Sequence, residues 1–240
     1  MSMNCLKEID VVVLAGGRGT RIAHVLKDIP KILAPIGNRF YIDLLLAWLN
    51  NFGAKRIIFS LGHLAAPVIN YLEALNIDTL DFCPVVEKRP EGTAVAIRNI
   101  SSYIKTNPVL VINGDSFVNA DLCSFLNFHQ LNQNEASILC TKVENAGRYG
   151  MVNISSEKRI ISFEEKSKFT GAGYINAGVY LFDKTAIAKI IKSGPSLEID
   201  FLAKQEKNVI GVMAGHYDFL DIGTPEALIK APVLLDKFFI

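Results

Sequence analysis

Short apolar runs alternate with longer amphipathic segments over the first half of the chain. The strand-like runs, rich in valine, isoleucine and phenylalanine, cover residues 10–15, 55–61, 80–86 and 108–113. The segments with helical spacing cover residues 40–50, 65–75 and 93–103. Strands and helices that alternate in this way form βαβ units, which build a parallel sheet covered by helices. The pattern therefore predicts an α/β fold.

The pattern changes beyond about residue 135. Four strand-like runs follow, with only short helical stretches between some of them, over residues 136–143, 150–154, 160–165 and 174–183. They favour a mixed or antiparallel extension of the sheet, closed by a helix over residues 225–235. Because no internal repeat or linker interrupts the chain, we expect one domain over residues 1–240 with two halves, about 1–134 and 135–240.

Composition limits the classes of protein that this chain can form. Of its 240 residues, 50% are hydrophobic and 20% are charged, which suits a globular domain and not a disordered chain. The 25 lysines and arginines balance 24 acidic residues, so the chain lacks the basic excess of proteins that bind nucleic acid or anionic membranes. Its apolar runs are far shorter than the ~20 residues of a membrane-spanning helix. We expect a cytoplasmic protein with no nucleic acid or membrane partner.

The four cysteines give no pattern of a metal site or of a disulfide scaffold. They lie far apart in the sequence, without a C-x-x-C pair, at Cys5, Cys83, Cys123 and Cys140. Zinc sites and small disulfide-rich domains have closer, repeated spacings. We therefore expect neither zinc nor a disulfide scaffold.

A glycine-rich turn follows the first predicted strand, where residues 14–21 read LAGGRGTR. Glycine lets the backbone approach a phosphate group closely and direct its N–H groups toward the anion. The charged residues here are mostly basic, with Arg18, Arg21, Lys27 and Lys31 against Asp28 alone. A glycine turn can be tight geometry only, but these cations favour a polyphosphate site.

Two other phosphate-binding motifs do not fit this spacing. The dinucleotide fingerprint G-x-G-x-x-G requires a third glycine where Ile22 stands, and a P-loop requires a lysine directly after its last glycine. A nicotinamide-dependent oxidoreductase is therefore disfavoured. A serine hydrolase also lacks support, because no G-x-S-x-G motif occurs in the sequence.

Two aspartates follow apolar segments in the positions expected of ligand-binding residues. Asp115 ends an N-G-D motif directly after the run at 108–113, and Asp221 opens a D-I-G-T-P motif near the C-terminus. Ligands of open α/β sheets gather at the carboxyl ends of strands, and Mg²⁺ is usually held by one or two carboxylates with phosphate oxygens. Each aspartate alone is more typical of a helix cap or a turn.

Together these motifs resemble those of the sugar-phosphate nucleotidyltransferases. The resemblance rests on G-R-G-T-R at 17–21, P-K-I-L-A-P at 30–35 and the two aspartate motifs, and it covers about residues 10–230. It implies a Rossmann-like, mixed but mostly parallel sheet flanked by helices, of the nucleotide-diphospho-sugar transferase type, with a smaller antiparallel β extension. It also implies that the first half of the chain binds the nucleotide and the second half the sugar phosphate.

The resemblance assigns roles to individual residues. The implied catalytic cations are Arg21, Lys31 and Lys166. The implied nucleotide-binding residues are Leu14, Ala15, Gly16, Gly17, Gly19, Thr20, Glu87, Gly92 and Thr93. The implied sugar-phosphate-binding residues are Gly150, Glu165, Lys166, Asn176 and Gly178. The implied ligands of a Mg²⁺ cofactor are Asp115 and Asp221.

Glu87 bears on the choice of nucleotide base. An ionised carboxylate accepts hydrogen bonds and donates none, so Glu87 would pair with the adjacent ring N–H and amino group of guanine. It would be repelled by the carbonyl groups of uracil and thymine and by the acceptor nitrogen of adenine. The alternative, a surface glutamate paired with Lys88 or Arg89, stays open on the sequence alone.

The implied reaction joins a nucleoside triphosphate, with GTP preferred, to a sugar 1-phosphate and releases pyrophosphate. Within the family, the chain is most similar to the branch that uses GTP and D-glycero-α-D-manno-heptose 1-phosphate. A mannose-1-phosphate guanylyltransferase, or a uridylyl- or thymidylyltransferase for another sugar 1-phosphate, is an alternative. A non-catalytic sensor of sugar nucleotides is another. We expect a monomer or a homodimer.

Overall fold

A nine-stranded sheet forms the centre of the computed structural model, which describes residues 4–75, 77–164, 171–205 and 209–239. Its strands are β1 (Val11–Ala15), β4 (Arg56–Leu61), β5 (Asp81–Val86), β6 (Val109–Asn113), β8 (Ala136–Val143), β9 (Met151–Ile154), β10 (Ile160–Glu164), β11 (Gly173–Phe182) and β12 (Gly211–Gly215). The shorter strands outside it are β2 (Pro35–Ile36), paired with β3 (Arg39–Phe40), and β7 (Ser116–Val118), paired with β13 (Phe219–Asp221).

One half of the sheet is parallel, and the other half is antiparallel except for β12, which pairs in parallel with β8. Strand β1 pairs in parallel with β4 on one side and with β6 on the other, and β5 continues the parallel order beyond β4. Strand β11 runs antiparallel to β6, and β8, β9 and β10 extend the sheet from there in antiparallel pairs. The architecture confirms the predicted mixed α/β sheet with an antiparallel extension.

Seven α-helices surround the sheet in the described ranges. They are α1 (Ala23–Leu26), α2 (Tyr41–Asn51), α3 (Ala65–Ala74), α4 (Thr93–Ile100), α5 (Leu122–Leu131), α6 (Lys184–Lys192) and α7 (Pro225–Phe239). The predicted helices α2, α3, α4 and α7 are confirmed, with bounds that differ by a few residues. The sequence pattern missed α5, whose N-cap Asp121 accepts hydrogen bonds from the backbone N–H groups of Cys123 and Ser124.

Both faces of the sheet are buried, which explains the uninterrupted apolar runs of its parallel strands. On β1, Val11 and Val13 pack into one core and Val12 into the other. Leu45 of α2 belongs to the first core, and Ile97 of α4 belongs to the second. The first and second cores thus fix the strand ends from opposite sides.

Cys5 and Cys123 form a disulfide across 118 residues of sequence. Our expectation from the cysteine spacing is therefore wrong for this pair. Spacing reports local motifs only, whereas here the fold brings the N-terminal segment against the start of α5. Cys83 and Cys140 are free, and burial raises the pKa of the Cys140 thiol far above its ordinary value.

No helix in the described part of the chain has both the length and the apolar character needed to cross a lipid bilayer.

Candidate active site

The glycine-rich turn of residues 16–21 leaves the sheet at the carboxyl end of β1, between the ends of β4 and β6. A Cβ atom on Gly62, the residue after β4, would lie 2.6 Å from the carbonyl oxygen of Gly16. Gly19 has a φ of +58°, a conformation that favours glycine. The turn therefore packs directly on the strand ends because neither backbone carries a side chain there.

A cavity of about 370 Å³, here called the nucleotide cavity, opens over this turn and the end of β6. All nine residues that the sequence implied for nucleotide binding line it, namely Leu14, Ala15, Gly16, Gly17, Gly19, Thr20, Glu87, Gly92 and Thr93. Arg21, Lys31 and Asp115 also line it. The fold thus gathers residues from distant parts of the sequence around one space.

Lys31 lies between the two aspartates that the sequence implied as metal ligands. Its Nζ is 2.6 Å from Oδ2 of Asp115 and 3.8 Å from Oδ1 of Asp221. Arg21 approaches the same point, because a Cβ atom on Gly223 would lie 3.0 Å from Nζ of Lys31 and 3.2 Å from Nη2 of Arg21. Two cations and two carboxylates therefore meet beside the turn that follows β13.

The short strand pair β7–β13 explains why the two aspartates converge. Asp115 immediately precedes β7, and Asp221 ends β13 in register with Ser116. The backbone N–H of Ile222 donates to the carbonyl oxygen of Asp115 at 2.9 Å. Asp221 also has the turn role that the sequence left open, because its Oδ1 accepts from the N–H of Gly223 at 2.7 Å.

The carboxylate pair fits a particular kind of metal. Within the described ranges, no group of three or more His, Cys, Asp and Glu side chains is arranged to hold a metal ion. Zinc sites need such groups, whereas Mg²⁺ is commonly held by one or two carboxylates together with substrate phosphates and water. The Lys31 ammonium group already shows that both aspartates, Asp115 and Asp221, face one cation.

Glu87 is buried, with 9% of its surface exposed, and lines the nucleotide cavity. Its Oε1 accepts a hydrogen bond from Ser60 Oγ at 2.9 Å. A Cβ atom on Gly16 would lie 2.8 Å from that oxygen, so the glycine turn and the carboxylate are in close contact. Burial is the largest cause of the raised pKa of Glu87; the hydrogen bond from Ser60 lowers this pKa in part, and the charge of Glu91 raises it further. The surface position, one of the two possibilities on sequence alone, is excluded.

The N-terminus of α4 forms another wall of the nucleotide cavity and contacts the segment before residue 198. Gly92 has a φ of +116°, and a Cβ atom there would lie 2.4 Å from the carbonyl oxygen of Pro195. That oxygen accepts from the N–H of Ala94 at 2.9 Å. The N–H of Ala94, in the first turn of the helix, is therefore already paired within the protein.

A second cavity of about 260 Å³, here called the acceptor cavity, adjoins the first. It shares Arg21, Asn113 and Asp115 with the nucleotide cavity, and it also contains Asp221. Three residues implied for sugar-phosphate binding line it, namely Gly150, Asn176 and Gly178. Two other implied residues, Glu165 and Lys166, lie outside the described residues.

Hydrogen bonds fix one wall of the acceptor cavity. Asn176 donates from Nδ2 to the hydroxyl of Tyr180 at 2.7 Å and accepts at Oδ1 from the N–H of Gly178 at 3.0 Å. Gly178 has a φ of +73°, and a Cβ atom there would lie 2.7 Å from both Asn113 Nδ2 and Ser116 Oγ. Burial raises the pKa of Tyr180 well above its ordinary value, so this hydroxyl is a neutral partner.

The sequence analysis missed two polar residues of this site. Asn113 ends β6 and lines both cavities. The signal for Asn113 in the sequence is its place at the end of an apolar strand, directly before a G-D motif. Glu198 lines the acceptor cavity from the short π-helical turn Leu197–Phe201, for which the sequence has no comparable motif.

The geometry is suited to reactions between two anionic phosphate compounds. The cations Arg21 and Lys31 and a carboxylate pair stand where the two cavities meet. Hydrogen-bond donors and cations fixed in this way stabilise charge that develops during phosphoryl or nucleotidyl transfer. The groups at the shared wall are therefore of the kinds that stabilise charge and align reactants in such reactions.

Comparisons with known proteins agree with this chemistry. Residues 10–237 match the family described as Nucleotidyl transferase. The D-glycero-alpha-D-manno-heptose 1-phosphate guanylyltransferase of Campylobacter jejuni is 32% identical over 222 residues, which cover 91% of this chain and 96% of that protein. A mannose-1-phosphate guanylyltransferase of Mycobacterium tuberculosis is 28% identical over 234 residues, which cover 93% of this chain and 63% of that protein.

A solved structure supports the same assignment. HddC from Yersinia pseudotuberculosis, of which one crystal structure is described as complexed with GMP-PN, superposes with a TM-score of 0.83 at 33% sequence identity. The match covers 96% of this chain and 99% of HddC. Because sequence and fold agree over nearly the whole length, this protein belongs to the nucleotidyl transferase family.

Proposed function

We propose that this protein is a sugar-1-phosphate guanylyltransferase that converts GTP and D-glycero-α-D-manno-heptose 1-phosphate into GDP-heptose and pyrophosphate. The observation that carries the proposal is the wall of Arg21, Asn113 and Asp115 that the two cavities share. A nucleoside triphosphate in one cavity and a sugar 1-phosphate in the other would meet there with their phosphate groups. We assign the nucleotide to residues 1–134 and the sugar phosphate to residues 135–240.

The reaction needs alignment more than it needs a base. The phosphate oxygen of the sugar 1-phosphate is already anionic, so it attacks the α-phosphorus of GTP without first losing a proton. A bond forms between that oxygen and the α-phosphorus, while the bond to the bridging oxygen of the leaving pyrophosphate breaks. Arg21 and Lys31 would hold the triphosphate and the departing pyrophosphate, while Lys166 and Glu165 would hold the acceptor. Such positioning lowers the barrier for two reactants that repel one another.

Asp115 and Asp221 are the residues that would hold Mg²⁺. When bound, the ion would neutralise charge on phosphate oxygens. Lys31, which contacts both carboxylates in this structure, would then be available to the phosphate oxygens of the nucleotide. Its ammonium group can serve this role because it reaches the nucleotide cavity.

The preference for guanine is supported by Glu87. Its buried carboxylate accepts from Ser60 and lines the nucleotide cavity. An acceptor-only group at this depth suits the ring N–H and amino group of guanine. A base that presents acceptors would give this buried carboxylate no donor besides Ser60, which costs free energy. The names of two relatives, a heptose 1-phosphate and a mannose-1-phosphate guanylyltransferase, agree with this preference.

The heptose is supported by the greater likeness to the heptose relative, which extends over 96% of that protein. The mannose-1-phosphate guanylyltransferase relative favours a second candidate acceptor, mannose 1-phosphate. The two sugars differ by one carbon and one hydroxyl group, so discrimination rests on a few contacts in the acceptor cavity.

We place the activity in the cytoplasm, where nucleoside triphosphates are available. Disulfides are rare in this reducing compartment. We therefore expect Cys5 and Cys123, which are bonded in this structure, to be thiols in the cell.

A substrate matrix tests the proposed function. The purified protein is incubated with Mg²⁺, each of four nucleoside triphosphates and each of several sugar 1-phosphates, and pyrophosphate release is measured. We expect GTP with D-glycero-α-D-manno-heptose 1-phosphate to give the highest kcat/KM. Faster turnover with mannose 1-phosphate would transfer the assignment to the second candidate. Binding of GDP-sugars without pyrophosphate release from any pair would indicate a sensor and contradict the proposal.

A further inference from the structure

Thr93 lines the nucleotide cavity, but its hydroxyl is hydrogen-bonded to residues 197 and 198. Its Oγ1 accepts from the N–H of Leu197 at 2.8 Å and donates to Oε2 of Glu198 at 3.1 Å. A threonine hydroxyl has one proton, and here that proton points to a carboxylate that lines the acceptor cavity. The side chain of a residue in the nucleotide wall thus holds a residue of the acceptor wall.

Glu198 is part of a hydrogen-bonded network that continues across the acceptor wall. Its Oε2 also accepts from Ser196 Oγ at 3.2 Å, and its Oε1 lies 3.5 Å from the hydroxyl of Tyr180. That hydroxyl accepts from Asn176. The path therefore runs from the first residue of α4 to a residue that the sequence implied for sugar binding, through side chains that are half-buried or buried.

The backbone reinforces this connection. The carbonyl oxygen of Pro195 accepts from the N–H of Ala94, and Gly92 allows this close approach because a Cβ atom there would collide with Pro195. The segment 195–198 is therefore fixed to the N-terminus of α4 by both backbone and side chain. Removing the hydroxyl would leave this backbone contact in place but take away one of the three hydroxyl donors that hold the carboxylate of Glu198.

We propose that Thr93 is a positioning residue of the acceptor site, which holds the carboxylate of Glu198 at the cavity wall and thereby sets the affinity for the sugar 1-phosphate. The inference rests on the proposed function and shifts the side-chain role of Thr93 from the nucleotide to the acceptor. A hydrogen bond to an ionised group is stronger than one between neutral groups. Its loss also leaves the N–H of Leu197 without its acceptor.

The test compares Thr93→Val, which removes the hydroxyl at nearly constant shape, with Thr93→Ser, which keeps it. KM and kcat are measured for GTP and, separately, for D-glycero-α-D-manno-heptose 1-phosphate. We expect the valine variant to raise KM for the sugar 1-phosphate about tenfold and KM for GTP less than twofold. The serine variant should stay within twofold of the wild type for both substrates.

Two further variants guard against misfolding and indirect effects. Ser196→Ala removes another donor to the same oxygen of Glu198 and should also raise KM for the sugar 1-phosphate. It provides the test if the valine variant does not fold. In a Glu198→Ala background, Thr93→Val should change that KM less than twofold, because the residue through which it acts is absent.

The outcomes separate this inference from the proposed function. Suppose that the wild type releases pyrophosphate but that Thr93→Val raises KM for GTP more than KM for the sugar 1-phosphate. This result overturns the positioning role of Thr93 and leaves the proposed function intact. An undiminished effect of Thr93→Val in the Glu198→Ala background also overturns that role. A wild type that turns over no sugar 1-phosphate with any nucleotide overturns the proposed function and this inference together.

Discussion

The nucleotide cavity and the acceptor cavity are built in different ways, although they share a wall. One stretch of sequence, residues 14–22, supplies much of the nucleotide cavity, and its glycines expose backbone there. The acceptor cavity takes side chains from many separate segments, among them Tyr149, Phe163, Glu198 and Phe219. The glycine turn of the first cavity is therefore encoded locally, whereas nearly every part of the second depends on the packing of distant elements.

This difference matches what each substrate demands. Every nucleoside triphosphate has the same phosphate chain, and backbone N–H groups recognise it whatever the neighbouring side chains are. Sugars differ in the number and arrangement of hydroxyl groups, and side-chain walls such as that of Asn176 and Glu198 can change by substitution. We infer that catalysis depends on the shared wall, whereas the identity of the sugar depends on the acceptor cavity.

The largest expected effect comes from breaking the shared wall at Asp115. Asp115→Asn keeps the shape of the side chain but removes the charge that pairs with Lys31. The triphosphate of GTP and the phosphate of the sugar 1-phosphate would then lose the charged group at the wall where they meet. We expect kcat to fall about 10²–10³-fold, as for the loss of a group that stabilises the transition state. The measurement is pyrophosphate release at saturating Mg²⁺ and substrates.

Asp81→Asn is the matched control for this prediction. Asp81 is exposed and forms an ion pair with Arg56 at the amino end of the parallel strands, the edge opposite the site. Exposed ion pairs contribute little to stability, so this variant should retain wild-type turnover. Near-wild-type turnover in Asp115→Asn would contradict the assignment of this residue.

A second prediction uses one glycine from each cavity. In Gly16→Ala the new Cβ would lie 2.8 Å from Glu87 Oε1, and in Gly178→Ala it would lie 2.7 Å from Ser116 Oγ, which lines the acceptor cavity, as well as from Asn113 Nδ2. We expect the first variant to raise KM for GTP about tenfold and the second to raise KM for the sugar 1-phosphate about tenfold, since displacement of a positioned polar group costs about 1–2 kcal/mol. Steady-state kinetics with each substrate varied in turn measures both constants.

Gly37→Ala separates the steric effect from backbone strain. Gly37 has a φ of +61°, similar to the +73° of Gly178, but a Cβ atom there would meet no atom within 4 Å. It should lose stability by about 1–2 kcal/mol from the left-handed conformation and leave both KM values unchanged. Equal changes of both KM values in Gly16→Ala would show that the two cavities do not act separately.

The same contrast explains how much of the site was predictable from sequence. The glycine turn, Lys31 and the strand end before Asp115 were visible because each depends on neighbouring residues. The convergence of Asp115 with Asp221 was visible only through the family resemblance. The pairing that produces it joins two three-residue strands, which are too short to show a two-residue period.

Other features depend on contacts that no local pattern contains. Glu198 reaches the site because the segment around Pro195 packs on the N-terminus of α4. The sequence shows which cysteines exist but not that Cys5 meets Cys123. The parallel strands, in contrast, were predicted well because burial on both faces makes them continuously apolar.

The smallest expected effect concerns the pH dependence of nucleotide binding. Burial raises the pKa of Glu87, so as the pH falls this carboxyl takes up a proton before an ordinary glutamate does. A protonated carboxyl would present a donor to the guanine N–H, and KM for GTP should therefore rise several-fold as the pH is lowered through the raised pKa. In Glu87→Gln, KM should be higher than in the wild type at neutral pH and lack this dependence.

The stability of the unliganded protein should respond to the same proton with the opposite sign. Because the folded state binds the proton on Glu87 more tightly than the unfolded state, the free energy of unfolding, relative to Glu87→Gln, should increase as the pH falls through the raised pKa. Weaker GTP binding in a more stable protein cannot be explained by acid unfolding. Glu91→Gln is the matched control, since loss of the exposed charge that raises the pKa of Glu87 should move both pH dependences to lower pH. Thermal unfolding and KM for GTP are measured over the same pH series for the wild type and for Glu87→Gln. If both quantities had the same pH dependence in the two proteins, the role of Glu87 would be contradicted.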